Sequence, residues 1–233
     1  HSIGVFGGAS VAGMKTDEAS VESDSNGFFV GGYGEYVVGD WAIDGALVVG
    51  YQRHQDKRLV VDNLTGEETA QSDYNSVYIS PSLAVVRSID IGGGIELRPS
   101  AEVNYTYGYY GEYTETGTTS SNLRVKGHGV DVINGRLQLA ARQALADGRG
   151  EMELRGGMKY SYFGRDSVDV GLGNGPVLRY QGTGDTSSYG GYVGGNMRYD
   201  VDRRMTVVAD MELGLATGDE RTASGYLGLE YRF

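Results

Sequence analysis

The chain has no cysteine, so it can build neither a disulfide framework nor a thiolate metal site. Proline occurs only 3 times against 39 glycines, and glycine excess without proline argues against a disordered, linker-rich chain. No segment approaches the ~18 consecutive apolar residues of a membrane-spanning helix. Lys and Arg number 20 against 31 Asp and Glu, a net charge of -11. There is no basic stripe to neutralise phosphates, which excludes nucleic acid as a partner. The sequence opens at His1 with neither Met nor an apolar signal segment, which reads as a mature protein or a C-terminal piece. Hydropathy alone would make the chain soluble. Pattern overrides that reading.

What is present is alternation. Gly225, Leu227, Leu229, Tyr231 and Phe233 share one parity, and Ser224, Tyr226, Gly228, Glu230 and Arg232 the other. Val207, Ala209, Met211, Leu213 and Leu215 repeat the plan against Asp210, Glu212 and Gly214. From Ile95 the odd positions run Leu97, Pro99, Ala101, Val103, Tyr105, Tyr107, Tyr109, and the even ones are polar or glycine. A period of two with one apolar face is a strand, since a helix needs spacings of three and four. The pattern predicts ten strands, near 2-13, 27-38, 41-54, 73-87, 94-114, 124-144, 150-164, 188-200, 205-216 and 223-233. In the sixth, Val130 and Val132 break parity, which predicts a bulge or a change of surroundings.

Connections alternate in length. Short ones are Val38-Gly39-Asp40, Ser88-Ile89-Asp90, 146-149 and 201-204; long polar ones are 14-26, 55-72, 115-123, 165-187 and 217-222. Outer-membrane barrels have short periplasmic turns and longer outward loops. The expected fold is therefore an all-β, up-and-down antiparallel transmembrane barrel over 1-233.

Facing follows from the aromatics. Trp41, Tyr199, Tyr231 and Phe233 gather at short-turn ends, and Tyr51, Tyr105, Tyr107, Tyr160 and Tyr162 toward long-loop ends. Two belts separated by aliphatic residues match two membrane interfaces. The other face then lines a lumen: Glu35, Asp44, Glu96, Arg98, Glu102, Arg136, Arg142, Glu153, Arg155, Lys159, Arg198, Asp210, Glu212, Glu230 and Arg232. Opposite charges are expected to pair across neighbouring strands.

Chemistry is sparse. His54 with Asp56, or His128 with Asp131, could be read as catalytic, but histidines in polar segments are more often inert. Asp17, Glu18, Glu22, Asp24 and Asn26 offer oxygens for a cation without the spacing of a dedicated loop. Gly171-Leu172-Gly173-Asn174-Gly175 lacks the lysine of a phosphate loop. Asn63-Leu64-Thr65 and Asn104-Tyr105-Thr106 fit glycosylation spacing only by chance. No catalytic residue, metal or cofactor is expected.

The same residues resemble the translocator domain of the classical autotransporter family, type Va secretion. Gly4-Val5-Phe6-Gly7-Gly8-Ala9-Ser10 is similar to its G-x-x-G-G-x-S strand, and Tyr33 to Val49 with Trp41-Ala42-Ile43-Asp44-Gly45 to its Y-G-x-Y … W-x-x-D-G hairpin. Leu97-Arg98-Pro99, Tyr105, Tyr113-Thr114-Glu115 and Gly117 follow its L-x-P-x-A … Y-x-E-x-G strand. Asn134-Gly135-Arg136-Leu137 stands where the family usually has R-G-R-L-G, and the chain ends in its S-G-x-x-G-x-x-Y-R-F pattern. The resemblance implies a twelve-stranded barrel with a pore helix and an upstream secreted passenger. The chain starts at what looks like the third strand, without that helix or the first two strands, so it is either a fragment of that barrel or closes with about ten strands. Partners implied are outer-membrane lipids and lipopolysaccharide, the barrel assembly machinery, and the chain's own passenger. Tyr226, Gly228, Tyr231 and Phe233 would carry the assembly signal. The alternative function is a free-standing outer-membrane barrel whose long loops act in adhesion or surface binding.

Overall fold

The computed structural model describes residues 1–231 apart from 17–19, 63–65, 165–166, 174, 182–185 and 219. The described residues contain strands and turns and no helix. In chain order the strands are β1 (Ser2–Thr16), β2 (Val21–Val38), β3 (Trp41–Asp62), β4 (Gly66–Arg87), β5 (Ile89–Asp90), β6 (Ile95–Tyr110), β7 (Tyr113–Thr114) and β8 (Leu123–Val125). There follow β9 (His128–Ala144), β10 (Gly150–Phe163), β11 (Ser167–Leu172), β12 (Val177–Gln181), β13 (Ser187–Asp200), β14 (Met205–Ala216) and β15 (Glu220–Tyr231).

Ten of these form one antiparallel wall in the order β1-β2-β3-β4-β6-β9-β10-β13-β14-β15, with β5 pairing β6. Each long strand thus lies beside the next one along the chain, which short hairpin turns permit. The wall curls. Arg98 on β6 reaches Glu153 on β10, and Arg136 on β9 reaches Glu212 on β14, so residues of that parity share a concave face. This is an up-and-down transmembrane β-barrel wall.

Among the described residues there is no conventional core. The buried hydrophobic residues among those described are Ala70, Val125, Ala140 and Tyr192, while apolar side chains fill the convex face. On β14, Glu212 is 9% exposed between Met211 at 56% and Leu213 at 44%. That inversion of the soluble pattern is what a lipid-facing strand requires.

The β2–β3 hairpin turns on two residues, with Gly39 at φ 56°. A positive φ at the first central position suits a type II′ turn, whose twist matches the flanking strands. Along β4 the ladder to β6 lapses between Ile79↔Tyr107 and Ser82↔Asn104, where Pro81 has no N–H to give.

Several expected boundaries move. Segments 14-26 and 55-72, expected as loops, are mostly strand: the β1–β2 ladder runs out to Thr16↔Val21 and β3–β4 to Asp62↔Gly66. Above the membrane both faces of a strand meet water. The ladder continues there while the hydrophobic alternation that marks it disappears. With 22 residues each at ~3.3 Å apiece, β3 and β4 reach about twice the height of a ~25 Å apolar band even when tilted. Segment 165-187 likewise contains β11 and β12, which join β8 and β7 in a second sheet of order β12-β11-β8-β7. The expected strand 94-114 divides into β6 and β7, and 124-144 into β8 and β9. The expected bulge is absent, since β6 and β9 stay in register from Ile95↔Gln143 to Tyr110↔His128. Val130 and Val132 do face the lumen, opposite Gly108 and Thr106 near its outer mouth. The short connection placed at Ser88-Ile89-Asp90 extends through Gly92, Gly93 and Gly94, all at positive φ.

Candidate functional site

The lumen is the candidate site, and its two walls are built differently. On β9, β10, β13 and β14 the wall is ionic. Arg136 Nη2 donates to Glu212 Oε2 at 2.7 Å, and Arg155 Nη1 to Asp210 Oδ2 at 2.7 Å. Lys159 also bonds Glu212, whose carboxylate therefore gathers three cations with Arg155 Nη2 at 3.4 Å. Tyr192 completes the cluster. Its hydroxyl accepts from Arg136 Nε at 2.6 Å and donates to Gln138 Oε1 at 2.9 Å, and its ring lies 4.1 Å from the Arg136 guanidinium. Further along, Arg98 pairs with Glu153 at 3.2 Å and Arg198 Nη1 with Glu230 at 3.1 Å, while Arg142 pairs with Glu151. Charged, interlocked hydrogen bonds of this kind hold strands together in a water-filled space, where apolar packing cannot.

Neighbouring-strand pairing, the expectation from sequence, is mostly not what occurs. Arg98–Glu153, Arg155–Asp210, Arg198–Glu230 and Lys159–Glu212 each skip at least one strand, because curling brings next-but-one strands within reach. Residues directly opposite can even share a sign: Glu35 faces Asp44 across β2 and β3. Glu102 sits opposite Arg136 on β9, yet Arg136 turns to Glu212 instead. Glu96 accepts from Ser88 Oγ at 2.7 Å.

On β1 to β4 the lumen wall is aromatic. Phe6, Phe29, Tyr33 and Tyr78 have lumen parity, and each ring covers a glycine on the adjoining strand. Phe6 lies over Gly31, Phe29 over Gly8, Tyr33 over Gly4 and Tyr78 over Gly50, each a directly paired residue. A Cβ at any of those glycines would overlap the ring. Phe6 contacts both Phe29 and Tyr33, with centroids 6.3 and 6.2 Å apart. Nothing in period-two alternation distinguishes these rings from lipid-facing ones, and sequence reasoning missed them. Counting parity from Asp44 across each hairpin would have found them.

Above the outer belt the aromatic wall continues as a stack of five rings. Tyr113 stacks on Tyr74, Tyr74 on His54, and Tyr110 on His128, while His54 also touches Tyr110 at 5.6 Å. His54 lies within β3 rather than at a loop start, three residues past Tyr51 and so outside the apolar band. Its Nε2 is 2.8 Å from Ser76 Oγ, and burial pushes its pKa below the ordinary value, partly offset by Asp56. Asp56 serves other partners, accepting from Ser23 Oγ at 2.5 Å and Tyr74 Oη at 2.8 Å. His128 and Asp131 fall on opposite faces of β9. Neither of the histidine–carboxylate pairs that could be read as catalytic forms a hydrogen-bonded couple among the described residues. Beside this stack Glu115, buried, accepts from Arg58 Nη2 at 2.6 Å and from Leu123 N at 2.8 Å, tying segment 115-123 to the protruding β3–β4 hairpin.

On the convex face, Trp41, Tyr199 and Tyr231 stand at the short-turn end, and Tyr51, Tyr105, Tyr107, Tyr160 and Tyr162 toward the other. Tyr160 stacks on Tyr189 with centroids 5.7 Å apart, and Phe28 contacts Tyr51 at 5.6 Å. In β15, Tyr231 is convex while Tyr226 and Gly228 face the lumen, the Tyr226 ring covering Gly228. Arg232 and Phe233 lie outside the described residues, as do Asp17, Glu18, Asn63-Leu64-Thr65 and Asn174. Glu22 is bonded to Lys15 at 2.6 Å, and Asn104 lies in the lumen donating to Ser80 Oγ at 3.0 Å.

A family model described as Autotransporter beta-domain matches residues 1–212. Among solved structures, the chain is similar to the translocator domain of autotransporter NalP from Neisseria meningitidis. The TM-score is 0.69 at 15% identity, covering 99% of this chain and 75% of that one. It is similar also to the beta domain of the Bordetella autotransporter BrkA, with a TM-score of 0.65 at 19% identity, covering 99% and 82%. At such identities these structures speak for the fold alone. No curated protein sequence matches.

Proposed function

Since the chain belongs to the autotransporter beta-domain family, an outer-membrane family of Gram-negative bacteria, we propose that it anchors a passenger polypeptide and exports it through its lumen. The observation that carries this reading is the polar concave face. Its backbone groups are spent on the ladders, and its charges are mostly engaged with one another, as in Arg136–Glu212 and Arg155–Asp210. An extended polypeptide in that space meets hydrated side chains already paired, and finds few free groups to bind. The convex face, with its two aromatic belts, holds the wall in lipid and supports contact with lipopolysaccharide at the outer belt.

Assembly follows the same logic. The terminal pattern begins on β15, and we propose that it is read by strand addition to a partner sheet. Tyr226, Gly228, Tyr231 and Phe233 are proposed as the signal read there by the barrel assembly machinery.

The test is to express the gene with its native upstream segment in a Gram-negative host and treat intact cells with protease. The upstream segment should be cleaved at the surface only in cells whose barrel is folded, scored by heat-modifiable gel migration. A folded barrel with the segment protected in the periplasm would contradict export. Binding of cells through the outer tier alone would then favour the adhesion reading.

A further inference from the structure

At three short-turn corners a belt ring meets an arginine. Arg87 closes β4 directly opposite Trp41, its guanidinium 5.4 Å from the Trp41 ring centroid. Arg149, in the β9–β10 turn, lies 5.2 Å from the centroid of Tyr199. Arg204, in the β13–β14 turn, donates to the Tyr231 hydroxyl at 3.5 Å. The corners are separated around the wall, so the arrangement is a partial girdle rather than one patch.

These guanidinium groups lack a close carboxylate partner, although the charges of Asp147 and Asp202 are near enough to act on Arg149. None of the three joins an ion pair among the described residues. The acids of the same turns accept from backbone N–H groups and, at Asp147, from a belt hydroxyl. Asp147 accepts from Arg149 N at 3.0 Å and from the Tyr199 hydroxyl at 3.0 Å. Asp202 accepts from Arg204 N at 2.7 Å and Met205 N at 2.8 Å. Arg149 gives Nε and Nη2 to the carbonyls of Asp200 and Val201, which leaves Nη1 to spare. At the opposite end two convex cations differ, Lys15 being bonded to Glu22 and Arg53 to Asp73, while Lys57 and Arg221 join no ion pair among the described residues.

We propose that the corners Trp41/Arg87, Tyr199/Arg149 and Tyr231/Arg204 bind the phosphates of anionic phospholipids in the periplasmic leaflet. An aromatic ring settles at the edge of the hydrocarbon, the depth at which lipid phosphates lie. A guanidinium fork matches two phosphate oxygens, and its face rests on the ring at the Trp41 and Tyr199 corners, while at the third Arg204 is held by the Tyr231 hydroxyl. A free anion would gain nothing from the ring, whereas a lipid is held by both ends. The proposal rests on outer-membrane placement and is independent of passenger export.

The experiment folds the chain into phosphatidylcholine vesicles containing a minor fraction of phosphatidylglycerol, then counts retained lipids by native mass spectrometry. The unaltered chain should retain phosphatidylglycerol above its bulk fraction. Arg87→Gln, Arg149→Gln and Arg204→Gln should each weaken that preference roughly fivefold at its own corner, and the triple variant should abolish it. Lys15→Gln with Arg53→Gln should leave it unchanged. Heat-modifiable migration scores folding, and if the triple variant fails to fold, the three single variants decide. Unaltered enrichment in folded variants would overturn the proposal, as would displacement of the lipid by inorganic phosphate. A chain that does not insert into vesicles would instead contradict the membrane placement itself.

Discussion

The two walls of the lumen solve one problem in two ways. From β1 to β4 the concave face is tied by rings lying in glycine hollows, Phe6 over Gly31 and Tyr78 over Gly50. From β9 to β14 it is tied by charges, with Glu212 holding Arg136, Arg155 and Lys159. Neither wall has an apolar core behind it, because lipid occupies that place. Cross-strand side chains must therefore supply what a core supplies elsewhere. The ring wall depends on shape, since each ring needs the missing Cβ opposite. The ionic wall depends on balance, since each carboxylate removed strands its cations. The contrast teaches that glycine abundance and charge abundance here are two forms of one requirement.

Breaking the ionic wall should cost most. Glu212→Ala leaves three cations converging on an empty position, with Asp210 already bonded to Arg155 and Glu102 opposite Arg136 to answer them in part. The expected loss is about 3 kcal/mol, at the low end for stranding buried charge because water enters the lumen. Denaturant unfolding in lipid vesicles measures it, read by fluorescence of Trp41, the chain's one tryptophan. A loss below half that figure would mean the cations find other partners.

Breaking the ring wall should cost less and be repairable. Gly50→Ala forces the Tyr78 ring from its hollow, at about 1–2 kcal/mol. Adding Tyr78→Ala should cost less than the two changes measured apart, since the ring that clashes is gone. Additive losses would show that the ring and the glycine are independent.

Much of this was legible in the sequence and some was not, for physical reasons. The alternation of Val207 to Leu215 fixes β14 because one face meets lipid and the other water, and the structure has that strand at Met205–Ala216. Alternation does not reveal the outer halves of β1 to β4 because water bathes both faces there, so residues such as Ser23, Gln55 and Ser72 carry no period. Alternation puts the charges on one parity and leaves their partners unspecified. Pairing such as Arg155 with Asp210 depends on curvature, which alternation does not encode. The lumen-side rings were hidden for a related reason: an aromatic residue beside a glycine reads the same on either face.

The outer tier gives the smallest effect and sharpens the comparison from outside the membrane. Burial among Tyr74 and Tyr110 disfavours the charged form of His54, so its folded pKa lies below its unfolded value. The unfolded chain then binds the extra proton first. Stability is complete above the unfolded value of about 6.5 and falls as pH drops from there toward the folded value. The slope cannot exceed one proton, about 1.4 kcal/mol per pH unit. His54→Gln, which can still accept from Ser76, should flatten that limb in the same vesicle unfolding assay. A limb unchanged by the substitution would assign it to another group.

The central claim is that one parity of every long strand meets lipid and the other meets water. Because the chain lacks cysteine, single cysteines placed in turn from Val207 to Leu215 can each carry a nitroxide label without background. In folded vesicle samples, labels at 207, 209, 211, 213 and 215 should be relaxed by dissolved oxygen. Those at 208, 210, 212 and 214 should instead be relaxed by a water-soluble nickel chelate. Alternation of opposite phase, or no alternation across the nine positions, would contradict the account.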